Sequence, residues 1–353
     1  MPELERVHWY LREECNLKRC AYCFGPLSEG KANPDKDTEL AKLLAQSHIK
    51  EVILGGGEPL LANNLESVLQ ILKSGNIRVS LHTNGLLLSE EKLNRWQGLI
   101  DDIALPIDAV DERIQKKLRG EGFKETFNGI MCLADQITSR GIELGWHTVF
   151  TAVNREEIPK IYKQINKQEF GDWRIYEYNF ELARQAWLKA DWLRDEERIK
   201  GYLRSESLVK LGTSEKGGTD SLLADFLRME EGMMKGGDPR ITFVARLDGR
   251  MDPYAFLTNN GQVNYYTWYS DSQRRPLGNV FAEGFAKISG IWKKIKDEEE
   301  FNEEDWLEVT SSTPLWVRLE DGAYFVEEYD DLTPKYRNEV ERLADLWKRR
   351  NEK

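Results

Sequence analysis

The first half of the chain alternates short apolar runs with longer stretches in which apolar residues recur at helical spacing. Val7 to Leu11 begins a strand, and EVILGGG at 51–57 is a second, closed by glycines. After it, Leu65, Val68, Leu69 and Leu72 fall at i, i+3, i+4 and i+7, one face of a helix. IRVSLHTNG at 77–85 reads as a strand ending in a turn, with a helix after Ser89, and DIALPID at 102–108 as the next strand, with a helix from Val110 onward. Leu144 to Thr151 forms another strand, Ile158, Ile161, Tyr162 and Ile165 another helical face, and Trp173 to Phe180 a sixth strand. Six strand and helix units in succession predict a parallel sheet, which right-handed crossovers curl toward a barrel. The expected fold is therefore α/β, a partial (β/α)6 TIM-type barrel over residues 1–180 with a C-terminal α+β extension.

Past Phe180 the alternation stops. Residues 181–237 are charged and helical in tendency, broken by glycines in TSEKGGTD and MMKGGDP. Ile241 to Tyr269 turns β-like, and LTNNGQVNYYTWY places an Asn-Gly turn between two strand-forming runs, a strong hairpin signal. DEEEFNEEDWLE reads as a solvated acidic segment and Tyr336 to Arg349 as a closing helix. Residues 181–353 are expected to cover the barrel and shape a substrate site.

Composition narrows the function classes. A chain of 353 residues that is 40% hydrophobic can supply a sizeable core. Its 50 Lys and Arg against 61 Asp and Glu give a net charge of −11, and the pI is near 5.2. That balance disfavours a general electrostatic grip on a nucleic-acid polymer or an anionic lipid surface, while leaving room for a small basic pocket inside an acidic shell. No apolar run approaches the roughly 18 residues of a membrane helix, and MPELERVHW lacks a signal-peptide core. The expected setting is soluble and cytoplasmic.

Four cysteines are too few for a disulfide scaffold, but three of them, Cys15, Cys20 and Cys23, lie in one short stretch. Cys132 stands apart, at helical spacing with Phe127, Ile130 and Met131, which predicts core burial. A C-x4-C-x2-C loop just after the first strand can offer three soft thiolates to one metal centre, iron–sulfur or zinc, or can be three metal-free buried thiols. Three ligands where a closed structural site takes four leave a position open, unless His8 closes it. One unit later, Gly55 to Pro59 reads GGGEP: bare glycines let a ligand approach the backbone, and Glu58 offers a carboxylate suited to an ammonium group.

CNLKRCAYCF at Cys15 to Phe24, GGEP at Gly56 to Pro59, HTNG at His82 to Gly85, IALPIDAVDERIQKKLRGEGF at Ile103 to Phe123 and TVFTAVNREEI at Thr148 to Ile158 together resemble the radical S-adenosylmethionine (radical SAM) superfamily. The resemblance covers roughly residues 6 to 180, in the family's order. It implies that Cys15, Cys20 and Cys23 bind three irons of a [4Fe–4S] cluster, leaving the fourth iron to S-adenosylmethionine. It further implies that Gly56, Gly57 and Glu58 hold the methionine amino group, that Tyr22 lies beside the adenine, and that Asp108 and Asn84 neighbour the ribose or sulfonium. Asn154 and the Val149 to Thr151 strand end would line the adenine side. The implied reaction is reductive cleavage of S-adenosylmethionine to a 5′-deoxyadenosyl radical, which abstracts hydrogen from a small-molecule, nucleotide-like or peptide substrate. An electron donor of flavodoxin or ferredoxin type would then be a partner.

This sequence departs from the family pattern in two places. The first two cysteines are separated by Asn16, Leu17, Lys18 and Arg19, four residues where the family usually has three. The stretch from Tyr254 to Ile288 looks like the hairpin and helix that carry auxiliary clusters in many members, but no cysteine lies beyond Cys132, so auxiliary clusters are not expected, and no DxHxxG string suggests a cobalamin domain. Candidate substrate-wall residues are His82 and His147, late in their strands, either relaying protons or held as hydrogen-bonded structural histidines. Tyr176, Tyr178, Tyr265, Tyr266 and Trp268 are expected mainly in core packing, with substrate stacking as the alternative. Arg274 and Arg275 could grip a phosphate or carboxylate, and Arg119 could pair with a cofactor carboxylate or brace the loop. The competing function is a non-radical barrel that holds zinc or a structural cluster and acts in binding or assembly.

Overall fold

A computed structural model of the chain describes residues 4–12, 14–17, 20–23, 33–120, 122–178, 225–226, 228–230, 232–233, 237–244, 254–266 and 275–298. Six strands follow one another with helices between them, as expected. The strands are β1 (Arg6–Arg12), β2 (Glu51–Gly56), β3 (Arg78–His82), β4 (Asp102–Pro106), β5 (Glu143–Phe150) and β6 (Asp172–Glu177). Between them lie α1 (Pro34–Ala45), α2 (Leu65–Ser74), α3 (Glu90–Arg95), α4 (Glu112–Arg119) and α5 (Phe127–Thr138), and α6 (Ile158–Ile165) precedes β6. The sheet then continues through residues expected in the C-terminal extension. A seventh strand, β7 (Ile241–Val244), pairs in parallel with β6, and β8 (Tyr254–Thr258) pairs in parallel with the other side of β1. Two antiparallel strands, β9 (Gln262–Tyr266) and β10 (Arg275–Asn279), extend that edge, and α7 (Val280–Glu298), bent at Gly284, follows. The order β10-β9-β8-β1-β2-β3-β4-β5-β6-β7 makes one sheet of ten strands whose run from β8 to β7 is parallel throughout.

The helices begin where the sequence supplies caps. Asn33 accepts from the Asp35 and Lys36 amides, Ser89 from Lys92, Asp111 from Arg113 and Thr126 from Gly129. The apolar face read on α2 is buried in full, and on α6 Ile158, Ile161 and Ile165 are buried with Tyr162 packed beside them. The Asn-Gly turn also forms as expected: Gly261, at φ 82°, donates its N–H to the Thr258 carbonyl at 2.9 Å and joins β8 to β9. The helix expected from Tyr336 to Arg349, the acidic segment beyond residue 298, Trp268 and Arg274 lie outside the described residues.

Strand alternation sorts the interior into two faces. Val7, Trp9 and Leu11 of β1, Val79 and Leu81 of β3, Leu144, Trp146 and Phe150 of β5, and Trp173 and Ile175 of β6 join the helices in one apolar core. The opposite face is the concave side of the curved sheet, and it carries polar and aromatic residues in layers. At the strand N-termini, charges from neighbouring strands pair: Arg6 with Glu51, Arg78 with Asp102 and Glu143, and Arg174 with Asp172. Above them stand His8, His82 and His147, and at the strand C-termini the chemistry-bearing loops emerge.

One buried ion pair fixes the start of those loops. At the end of β1, Arg12 donates from Nη1 to Asp37 of α1 at 2.7 Å and from Nη2 to Asn64 before α2 at 2.9 Å. Arg12 is 4% exposed and Asp37 not at all. Replacing Asp37 by Ala leaves a guanidinium buried without its counter-charge, so chemical denaturation of Asp37→Ala should show a loss of about 3–5 kcal/mol. A loss below about 1 kcal/mol would mean that the pair does not anchor β1.

Candidate functional site

The site is built at the C-terminal ends of β1 to β5. The segment before the cysteines is clamped to the glycine motif: Gly57 donates its N–H to the Arg12 carbonyl at 2.6 Å, and Glu58 to the Glu14 carbonyl at 2.8 Å. Gly56 sits at φ 114°, and a Cβ there would lie 2.2 Å from the Arg12 carbonyl oxygen. Close backbone approach is thus required at this glycine by the neighbouring strand itself. At Gly55 a Cβ would lie 2.6 Å from His8 Nε2, so this glycine makes room for an imidazole.

Glu58 is the hub of the next unit. It caps the short turn at Pro59–Leu61, where Pro59 occupies a helical first position that needs no N–H. Its fully buried carboxylate accepts from the Leu60 amide at 3.1 Å, the Thr83 hydroxyl at 2.6 Å and the Asn84 amide at 2.9 Å. Burial raises its pKa, and these three donors work against that rise. Two donors reach Oε1 and one reaches Oε2, which leaves Oε2 capacity for one more. Held this way, Asn84 turns its side-chain amide to Asn16 at 2.6 Å and to Cys15 Sγ at 3.8 Å. The HTNG turn therefore touches the cysteine loop directly.

On the other side the loop is docked to α4. Ala21 donates its N–H to the Leu118 carbonyl at 2.7 Å. The Tyr22 hydroxyl donates to Asp108 Oδ2 at 2.5 Å, and Arg119 Nε donates to the same oxygen at 2.7 Å. Arg119 also reaches Cys20 Sγ from Nη1 at 3.8 Å and lies over the Tyr22 ring at 5.3 Å. Burial pushes the Cys20 thiol up to about 12, with the Arg119 charge pulling it back and the charges of Cys23, Asp108 and Cys15 adding to the rise. The Tyr22 hydroxyl is also raised, by burial first. Of the two roles open to Arg119 in the sequence, the geometry is that of a brace for the loop.

Cys20 is buried, Cys23 half-buried and Cys15 exposed; the charges of Cys15 and Cys23 act on Cys20, although among the described residues no three His, Cys, Asp or Glu side chains are grouped closely enough to hold a metal ion. Three thiols on one loop, with a guanidinium against one and an amide against another, form a donor set that suits a soft iron–sulfur centre. His8 stacks with Tyr10 and Phe256 at ring distances of 5.1 and 5.5 Å, placing it in the concave face and not as a fourth ligand. Cys132 is corrected: it is exposed, because the buried face of α5 is Ile130, Ala134 and Ile137, and residue 132 points away from that stripe.

The remaining expected residues are arranged as follows. Asp108 is fully buried, and besides Tyr22 and Arg119 it accepts from the Val149 amide at 3.0 Å. Asn154 donates to the carbonyls of Asp108 and Val149 at 2.9 and 3.0 Å, and its own carbonyl accepts from Thr151 N and Oγ1. These two side chains organise the ends of β4 and β5 behind the loop. Tyr178 is in the core, whereas Tyr176 meets His147 edge-on at 5.3 Å. Three contributors escaped sequence reading. Thr83 lies inside the HTNG string without a role read for it, the Arg12–Asp37 pair carries no motif-level signal, and His8 joins the other histidines only when strand register is known.

The described strands form an open parallel barrel with a three-cysteine loop after the first strand and a GGE turn after the second. Residues 11–165, a little under half of the chain, match the profile of the Radical SAM superfamily. An S-adenosylmethionine-dependent nucleotide dehydratase of Thermoplasmatales archaeon (strain ISO4-H5) is 29% identical over 139 residues, 39% of this chain and 49% of that protein. A GTP 3′,8-cyclase of Staphylococcus epidermidis (strain ATCC 35984) is 29% identical over 160 residues, 41% of this chain and 46% of that protein. The chain thus spans about half the length of these relatives. In fold it is similar to Streptococcus suis SuiB bound to S-adenosylmethionine, with a TM-score of 0.55 at 15% identity, covering 82% of this chain and 65% of that one. The superfamily uses a [4Fe–4S] cluster and S-adenosylmethionine. No helix among the described residues is long and apolar enough to cross a membrane.

The tightest steric demand in the site falls on Gly56. Gly56→Ala should cost more than about 1 kcal/mol of stability and lower iron uptake on anaerobic reconstitution, because the new methyl pushes the Arg12 carbonyl away from Gly57. Wild-type stability and full iron content in that variant would contradict the clamp.

Proposed function

We propose that this chain is a radical SAM enzyme in which Cys15, Cys20 and Cys23 hold a [4Fe–4S] cluster and S-adenosylmethionine is cleaved reductively to draw hydrogen from a small, nucleotide-like substrate. The observation that carries this reading is the convergence of the three-cysteine loop with Asn84 and with the Glu58 hub at one end of the barrel. When bound, such a cluster supplies one electron to a sulfonium and so opens a carbon–sulfur bond. The chain's own residues have separate tasks. Arg12, Gly57 and Glu58 set the loop's backbone, Arg119 and Asp108 hold it from behind, and the free acceptor direction on Glu58 Oε2 suits an ammonium group. Asn84 spans from that carboxylate to Cys15 and can orient a ligand between them.

A nucleotide-like substrate is favoured over a peptide because the relatives in sequence are named for nucleotide chemistry at 29% identity, whereas the likeness to SuiB, seen bound to a precursor peptide, is one of fold. A one-electron donor of flavodoxin or ferredoxin type completes the proposal.

Anaerobic reconstitution tests it. The wild-type chain should take up about four irons and form 5′-deoxyadenosine from S-adenosylmethionine with dithionite. Cys20→Ala should lose both properties, while Cys132→Ala, on the exposed side of α5, should keep both. A colourless protein with stoichiometric zinc would overturn the proposal in favour of a non-radical metal-binding barrel.

A further inference from the structure

His8, His82 and His147 come from β1, β3 and β5, the alternate strands that contribute to one layer of a parallel barrel. Their rings stand in a row, His8 to His82 at 5.4 Å and His82 to His147 at 4.6 Å, nearly perpendicular at each step. His8 Nε2 is buried with no protein hydrogen-bond partner. An orphaned buried nitrogen costs about 1–3 kcal/mol, and the absent Cβ of Gly55 is what lets it stand there. Neither His82 nor His147 is locked by a side-chain hydrogen bond among the described residues. An imidazole nitrogen left buried and unpaired in the concave face of a barrel is a group open to a ligand from outside the chain.

Two ligand classes need weighing. A metal ion calls for three donors around one point, and no such group of three exists among the described residues; a row that shares its middle member does not converge. The charges acting on the row are cationic. Arg174 of β6 acts on all three rings, and Arg119 acts on His147. Tyr10 of β1 and Tyr176 of β6 also face the row, and at the strand bases stand Asp172, which pairs with Arg174, and Asp102 of β4, whose carboxyl is pushed up to about 6 by burial. This is a small basic surface inside a chain of net charge −11.

We infer that the His8–His82–His147 row is an oxyanion subsite which takes the phosphoryl end of the substrate and draws a proton from solvent onto its imidazoles as the anion enters. The inference rests on the radical SAM reading for the identity of the substrate, but the subsite itself stands on the geometry of the row. Without an anion, burial and the neighbouring cations hold the rings neutral, His8 down to about 4 and the other two well below their ordinary value. An entering dianion reverses the local field, so the row takes up one proton, and a charged imidazole is the form that grips an oxyanion best. An extended row also suits several phosphoryl oxygens better than the two of a carboxylate.

Sulfate is the probe, because its own charge is fixed near neutral pH, and titration calorimetry on the full chain needs neither reductant nor S-adenosylmethionine. Sulfate should bind with uptake of about one proton, seen as a dependence of the heat on buffer ionisation, and about tenfold more weakly for each pH unit between about 6 and 8. His82→Gln and His147→Gln, each confirmed folded by thermal unfolding, should lose about tenfold in affinity and flatten the pH slope. Binding without a pH slope, equal affinity in both variants, or acetate binding as tightly as sulfate would overturn the inference. Should neither variant fold, the slope in the wild type decides alone. Loss of 5′-deoxyadenosine formation with sulfate binding intact would instead count against the radical reading only.

Discussion

The Asp108 carboxylate is the fixed point on which the site depends. It is fully buried, so it must be paired, and its partners come from three directions: Arg119 at the end of α4, Tyr22 inside the cysteine loop and the Val149 amide on β5. Beyond Leu17, Cys20 and Tyr22, which reach the apolar core, the cysteine loop has little apolar surface with which to order itself. Here its order is borrowed from a charge pair that cannot be opened cheaply, and the same guanidinium reaches Cys20. On the opposite side Glu58 does the equivalent service with neutral donors. The loop is held between two buried carboxylates, one braced by a cation and one by hydroxyl and amide groups.

This arrangement divides the barrel along its axis. Ion pairs close the strand N-termini, the histidine row occupies the middle, and the cysteine loop with its supporting turns lies at the C-terminal mouth. The large side chains that stabilise the fold, Trp9, Trp146 and Trp173 among them, are on the outer face of the sheet against the helices. Chemistry and stability are therefore carried by opposite faces of the same strands, and substitutions on the concave face can alter ligand preference without removing core volume.

Much of this was legible in the sequence. Strand and helix periods are local, so the six units, the face of α2 and the Asn260–Gly261 turn could be read directly. The cysteine spacing and GGEP string were legible because ligand chemistry demands particular residues close together. What stayed hidden depends on register. Nothing in the linear order says that His8, His82 and His147 share a layer, because their alignment follows from strand pairing. Nor could the chain order show that a strand from residues 254–258 returns to pair with β1, making the sheet wider than six strands. Cys132 was misplaced because α5 buries a narrow stripe, and residues near one another in sequence fall on both sides of it.

The central claim is that the three-cysteine loop presents a cluster with one iron open to S-adenosylmethionine. Electron paramagnetic resonance of the reduced, anaerobically reconstituted chain tests it most directly. The account predicts a [4Fe–4S] signal whose shape changes when S-adenosylmethionine is added, because the ligand reaches the unique iron. A cluster signal indifferent to S-adenosylmethionine, or no cluster signal from a correctly folded chain, would contradict it.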